Sequence, residues 1–310
     1  MPPSPRLRIA AALTAATLVL AGCAARSDGF SDGRLDVVTA FYPLQYLASR
    51  IGGAEVSVTD LTKPGAEPHD VELNPRQVGR VADAGLVIYL KGFQPAVDQA
   101  VAQEAADRSL DISTVVRLLP AEEHSHEPGE DEHAEANGNA DPHVWLDPLR
   151  YEQIAQAVAD RLAQIDPQHA DTYQSRAAAV KKELQNLNTA YAAALKTCQR
   201  REIVTSHAAF HYLADRYGLT EVGITGISPE AEPSPQRLAH VAEEARATGT
   251  STIFFETLVS PKVAETIARE VGAKTAVLDP LEGVTEAGAD YFTVMRTNLN
   301  ALTTALGCSS

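Results

Sequence analysis

Four side chains able to ligate a metal stand at separate places in the 310-residue chain. His69 lies in Gly65-Ala66-Glu67-Pro68-His69-Asp70-Val71-Glu72 and His143 in Asp141-Pro142-His143-Val144-Trp145-Leu146-Asp147. His207 lies in Val204-Thr205-Ser206-His207-Ala208-Ala209-Phe210, and Asp279 in Ala276-Val277-Leu278-Asp279-Pro280. Three neutral imidazoles and one carboxylate form a four-coordinate set of three nitrogens and one oxygen. That set suits the tetrahedral, borderline-soft zinc ion, whereas calcium or magnesium wants mostly oxygen. Taken singly, a histidine is more often a cap or a hydrogen-bonded structural residue, and an Asp-Pro more often a turn. The joint placement carries the reading: all four follow strands or precede helices, where open α/β sheets place ligand sites.

The elements that must position them alternate. Asp36–Ala40, Val56–Leu61, Leu86–Leu90 and Leu110–Ser113 read as strands, with helices near Leu44–Arg50, Pro75–Asp83 and Pro95–Ala106 between them. Asn74-Pro75 supplies an N-cap followed by proline at the first helical position. Residues 121–140, rich in His, Glu, Gly and Asn without apolar periodicity, read as a flexible loop. A helix over Pro148–Ile165 stops at Asp166-Pro167. A second helix, 167–196, carries Tyr173, Ala177, Val180, Leu184, Leu187, Tyr191 and Leu195 at spacings of three and four. It reads as a strut of ~45 Å joining two lobes. Beyond it, Glu202–Thr205, Glu221–Ile224, Thr252–Phe255 and Lys274–Leu278 are strand-like, and Ser234-Pro235 and Ser260-Pro261 mark helix starts. The expected fold is α/β: two similar lobes, each a mostly parallel four-stranded sheet flanked by helices, joined by one long helix, with the site in the interlobe cleft. The expected boundaries are an N-terminal lobe over 35–147, linking helices over 148–197 and a C-terminal lobe over 198–310.

Residues 1–22 read as a lipoprotein signal peptide. Arg6 and Arg8 precede an apolar run from Ile9 to Leu20 that is too short to span a bilayer. Leu20-Ala21-Gly22-Cys23 resembles the bacterial lipobox, so Cys23 is the expected lipidation site and 23–34 a lipidated tether. The expected location is the outer face of the cell membrane, or the periplasmic side where there are two membranes. Cys198 and Cys308 then remain as an even pair in an oxidising compartment, where a disulfide is expected over two unrelated thiols. Three cysteines exclude a disulfide-dense scaffold, and a formal charge of −15 lacks the basic footprint of nucleic-acid binding.

The motif text resembles a family. Pro-His-x-x-Glu, Asp-Pro-His-x-Trp, Thr-Ser-His-x-Ala-Phe, the stretch Gly226-Ile227-Ser228-Pro229-Glu230-Ala231-Glu232-Pro233-Ser234 and a terminal Leu-Asp-Pro are similar, in order over 35–307, to the zinc/manganese-binding lipoproteins of bacterial metal ABC importers. The resemblance implies metal held between two α/β lobes by His69, His143, His207 and Asp279. It also implies delivery to an ABC permease and its ATPase by a receptor that is not an enzyme and acts as a monomer. The manganese branch usually has glutamate at the third position, so His207 points to zinc, with manganese cargo the alternative. A histidine-rich loop often precedes the second ligand. Here it is reduced to His124, His126 and His133, which read either as auxiliary metal ligands or as part of a solvated acidic linker.

Other readings compete locally. A secreted zinc hydrolase would need an open coordination position and a base, with Asp279 withdrawn from the metal and Glu67 or Glu256 activating water. A metal-dependent adhesin is a third reading. His211 stands four residues after His207, Glu230 and Glu232 read as loop before an N-cap, and His169 and His240 as exposed helix residues.

Overall fold

Short β-branched runs form two separate sheets in the computed structural model, which describes residues 29–121, 140–284 and 288–309. The signal segment with Cys23, and the loop with His124, His126 and His133, lie outside the described residues. The first sheet comprises β1 (Phe30–Ser31), β2 (Arg34–Thr39), β3 (Val56–Asp60), β4 (Leu86–Tyr89) and β5 (Ser109–Asp111). The strands β3-β2-β4-β5 run parallel, and β1 pairs antiparallel with the start of β2. The second sheet comprises β6 (Glu202–Thr205), β7 (Thr220–Gly223), β8 (Thr252–Phe255) and β9 (Lys274–Val277), parallel throughout in the order β7-β6-β8-β9.

The two sheets share the expected plan, with one addition. Residues expected within the tether instead close a hairpin. Asp32 and Gly33 have φ of 51° and 74°, the left-handed pair that a two-residue type I′ turn needs. Gly29, at φ 76°, lies so close to Gly85 that a Cβ there would come within 2.3 Å of its Cα. Glycine is the residue that permits this approach.

Helices α1 (Tyr42–Gly52), α2 (Pro75–Asp83) and α3 (Pro95–Glu104) flank the first sheet, and α6 (His211–Tyr217), α7 (Pro235–Ala247) and α8 (Lys262–Val271) the second. The Asn74 side chain accepts from Arg76 and Gln77 N–H while Gln77 returns a bond to Asn74 N–H, a full capping box. Ser234 caps α7 by accepting from Arg237 N–H, as its sequence position suggests.

Between the sheets run α4 (Pro148–Ile165), α5 (Ala170–Ala194) and α9 (Tyr291–Leu306). The strut is shorter than expected, because Pro167–His169 form a 3-10 turn before α5 begins. Its buried stripe is the expected one: Tyr173, Ala177, Val180, Leu184, Leu187 and Tyr191. Helix α5 packs along α4 and also meets α1 and α9. Tyr191 donates its hydroxyl to Met295 O at 2.6 Å, joining α5 to α9. Buried Asp147 caps α4 and accepts from Arg216 of α6 at 2.9 and 2.6 Å, so one carboxylate holds helices from both halves. Cys198 and Cys308 form the expected disulfide, fastening the segment before β6 to the end of α9. One apolar core threads these helices and both sheets, and a smaller one lies around Val204, Val222, Ile253 and Ile267.

Candidate metal centre

Parallel strands end together, so the loops at their carboxyl ends converge. His69 stands in the β3–α2 loop, His207 just after β6, Glu256 directly after β8 and Glu282 in the loop after β9. His143 precedes the 3-10 turn at Val144–Leu146 that leads into α4. One ligand atom from each of His69, His143, His207 and Glu282 lies within 4.8 Å of the others. The Nε2 atoms of His69 and His143 are each 2.9 Å from Glu282 Oε1, and that of His207 is 3.5 Å away. Three ring nitrogens from two lobes thus face one carboxylate oxygen, with His143 and His207 0% and 1% exposed.

The opposite edges of two rings are held by further carboxylates. His143 Nδ1 is 2.7 Å from Asp141 Oδ1, which also accepts from His143 N–H at 2.9 Å. His207 Nδ1 is 2.7 Å from Glu256 Oε1, and Ser206 donates to the same oxygen. With Nδ1–H engaged this way, the lone pair of a neutral ring is directed from Nε2 into the cluster. Glu221 steadies the loop after His207, accepting from Phe210 N–H with both oxygens at 3.0 Å. The walls are aromatic. Phe93 meets the His69 ring edge-on with centroids 4.7 Å apart, and Trp145 lies 5.3 Å from His143 while donating its indole N–H to Pro280 O at 2.7 Å.

The carboxylate expected from Asp279 is not the one brought to the imidazoles. Asp279 Oδ1 accepts from Leu281 N–H at 2.7 Å, and Oδ2 accepts from Thr257 at 3.2 Å. Its backbone N–H and carbonyl are clamped by the side-chain amide of Asn298 at 3.0 and 2.7 Å. Asp279 thereby builds the turn, in which Leu281 takes φ of 61°, that delivers Glu282 into the cluster. The signal available in the sequence was a glutamate beside Gly283 three residues on. The first carboxylate after a strand ends up spent on the turn itself.

Electrostatics follow from burial. Desolvation opposes a charge on His143, yet the Asp141 and Glu282 carboxylates outweigh it and raise its pKa to about 9. His207 meets the same desolvation and is likewise held well above its ordinary value by Glu282 and Glu256. Desolvation also opposes the Glu282 carboxylate, but the three imidazoles hold its pKa well down. For His69 burial wins and the pKa falls. Without a metal the cluster is a buried carboxylate compensated by imidazolium protons, an arrangement that is stable only while paired.

The remaining histidines of the described residues stand apart. His211 Nδ1 lies 3.7 Å from Asp141 Oδ2 and is not in the cluster. His169 accompanies Asp166, and His240 is mostly exposed beside Glu244. Glu230 and Glu232 are exposed in the segment before α7.

Two α/β lobes with a buried imidazole–carboxylate cluster at their junction define an interlobe metal-binding protein. Residues 37–305 match the family described as zinc-uptake complex component A, periplasmic (ZnuA), and the chain belongs to that family. The zinc-binding protein AdcA of Streptococcus pyogenes serotype M3 is 37% identical over 288 residues, covering 88% of this chain and 56% of the relative. The chain therefore spans little more than half the length of that protein. The high-affinity zinc uptake system protein ZnuA of Bacillus subtilis is 34% identical over 306 residues, covering 95% of this chain and 96% of the relative. Among solved structures, Zn(II)-bound AdcA from Streptococcus pneumoniae superposes with a TM-score of 0.75 at 34% identity, covering 88% of this chain and 58% of that one.

Proposed function

We propose that this chain is an extracytoplasmic zinc receptor that holds one Zn2+ between His69, His143, His207 and Glu282 and delivers it to an ABC permease for import. The observation that carries the reading is the convergence of three Nε2 atoms on one Glu282 oxygen at a buried interlobe position. Imidazole-rich, four-coordinate donor sets favour zinc over manganese, which prefers more oxygen and a higher coordination number. The names of the similar proteins support zinc as cargo. Four protein ligands leave no position for an activated water, so the site binds and releases rather than hydrolyses. Titration against a zinc-selective chelator should find one tight equivalent, with manganese bound far more weakly. Manganese bound as tightly as zinc would overturn the assignment of cargo.

Anchoring belongs to the same reading. Leu20-Ala21-Gly22-Cys23 supports lipidation at Cys23, which would keep the receptor beside its permease. Cys23→Ser should move the protein from the membrane to the soluble fraction with zinc affinity unchanged. A variant that stays with the membrane in fractionation would refute the anchor.

A further inference from the structure

Beside the imidazoles lies a second set of oxygens. One carboxylate oxygen from each of Glu67, Glu256 and Glu282 lies within 4.8 Å of the others. Each residue already uses its Oε1: Glu67 accepts from His69 N–H, Glu256 faces His207 Nδ1 and Glu282 faces the imidazole Nε2 atoms. The Oε2 atoms of all three are buried without a hydrogen-bond partner. Glu256 and Glu282 are only 2% and 1% exposed, so bulk water does not solvate these oxygens. Buried carboxylate oxygens left unpaired are costly, and a cation among them removes that cost.

The third member connects the set to the surface. The Glu67 side chain is 13% exposed. With Lys63, Asp70, Glu72, Asn74 and Gln77 it lines a cleft of about 470 Å3 beneath the β3–α2 loop. Asp70 and Glu72 add two more carboxylates to the lining of that cleft, and Glu67 is the residue shared between it and the two buried glutamates.

Resting on the zinc-receptor reading, we propose that Glu67, Glu256 and Glu282 form an all-oxygen divalent-cation position through which zinc passes on its way between the cleft and the imidazole site. Carboxylates replace the waters of an arriving ion without demanding the softer donors that make zinc binding tight. Glu282 belongs to both positions, so the ion can transfer by exchanging Glu67 and Glu256 for imidazoles without leaving that carboxylate. The shared ligand also makes the two positions alternatives, occupied in turn. A waypoint lowers the barrier equally in both directions, so its loss changes rates and leaves the equilibrium in place.

The test is Glu67→Gln, in which the amide oxygen still accepts from His69 N–H while the carboxylate that would hold the cation is lost. Stopped-flow transfer of zinc from a fluorescent chelator to the metal-free protein gives the association rate, and transfer back to excess chelator the dissociation rate. Both should fall about tenfold, the scale of electrostatic assistance to association, with the dissociation constant changed less than about threefold. Wild-type rates in Glu67→Gln would overturn the waypoint. A loss of affinity arising from faster dissociation would also overturn it, by making Glu67 a ligand of the final site. Wild-type protein that binds no zinc tightly would instead overturn the receptor reading, so the two failures are distinct. A second measurement uses Mn2+ electron paramagnetic resonance in a His143→Ala background. Weak Mn2+ binding should persist there and disappear on adding Glu67→Gln, and persistence in the double variant would refute the carboxylate position.

Discussion

Replacing His143 by alanine should weaken zinc binding by roughly a hundredfold to a thousandfold, since four ligands share the ~10–16 kcal/mol that such sites provide. The residue is fully buried, and its Nε2 lies 2.9 Å from Glu282 and 3.4 Å from His207 Nε2, at the middle of the cluster. Asp141→Asn should cost less, about tenfold to a hundredfold, because it disturbs the orientation of the ring rather than removing the donor. Competition titration of both variants, with circular dichroism to confirm folding, checks the order. Zinc affinity unchanged in His143→Ala would remove it from the ligand set.

Zinc affinity should also climb steeply with pH. In the metal-free protein the surrounding carboxylates raise His143 to about 9, so that it carries a proton at pH 7, and hold His207 above its ordinary value, while His69 is shifted down. Zinc needs their lone pairs, so binding at pH 7 should expel at least the His143 proton, and affinity should rise by about tenfold or more per pH unit until His143 is neutral. Calorimetry in buffers of different ionisation enthalpy counts the protons, and no release at pH 7 would contradict the protonated cluster. The same shifts set the stability of the metal-free fold. The raised imidazole pKa values contribute stability that is complete below about 6.5 and disappears as pH rises through about 9. The depressed Glu282 contributes above its ordinary 4.5 and loses that as pH falls through its folded value. Thermal melts of metal-free protein should therefore be highest between those limits and fall on the alkaline side, where zinc binds best.

Much of this architecture was legible because local and tertiary preferences agree. The strands over Glu202–Thr205 and Thr252–Phe255 and the helices over Pro75–Asp83 and Pro148–Ile165 have the boundaries that caps, prolines and apolar runs indicate. The stripe on α5 was readable because a helix buried along one side repeats its apolar residues every three or four positions. Three imidazoles of the cluster could be picked out, since each stands beside a strand end or helix start. Glu282 could not, for a reason of register. Choosing between Asp279 and Glu282 needs the path of a turn fixed by Asn298, nineteen residues from Asp279 in sequence and on another element. The hairpin at Asp32-Gly33 was missed for a different reason: strands this short carry almost no periodicity, and only the turn dipeptide announces them. The carboxylates behind the rings, Asp141 and Glu256, were visible as residues but not as partners, since only folding brings Glu256 to His207 across forty-nine positions.

Trp145 is the only tryptophan of the chain. It is 1% exposed, stacked obliquely near His143 on one side and bonded through its indole N–H to the carbonyl of Pro280, in the loop that carries Glu282, on the other. Ultraviolet emission from this protein is therefore not an average over many environments. It comes from a single indole that lies against a ring of the metal cluster and is bonded to the loop that carries Glu282, so its quantum yield should register the charge on that ring. The molecule carries its own optical gauge of occupancy, with no dye to attach and no second fluorophore of its kind to subtract.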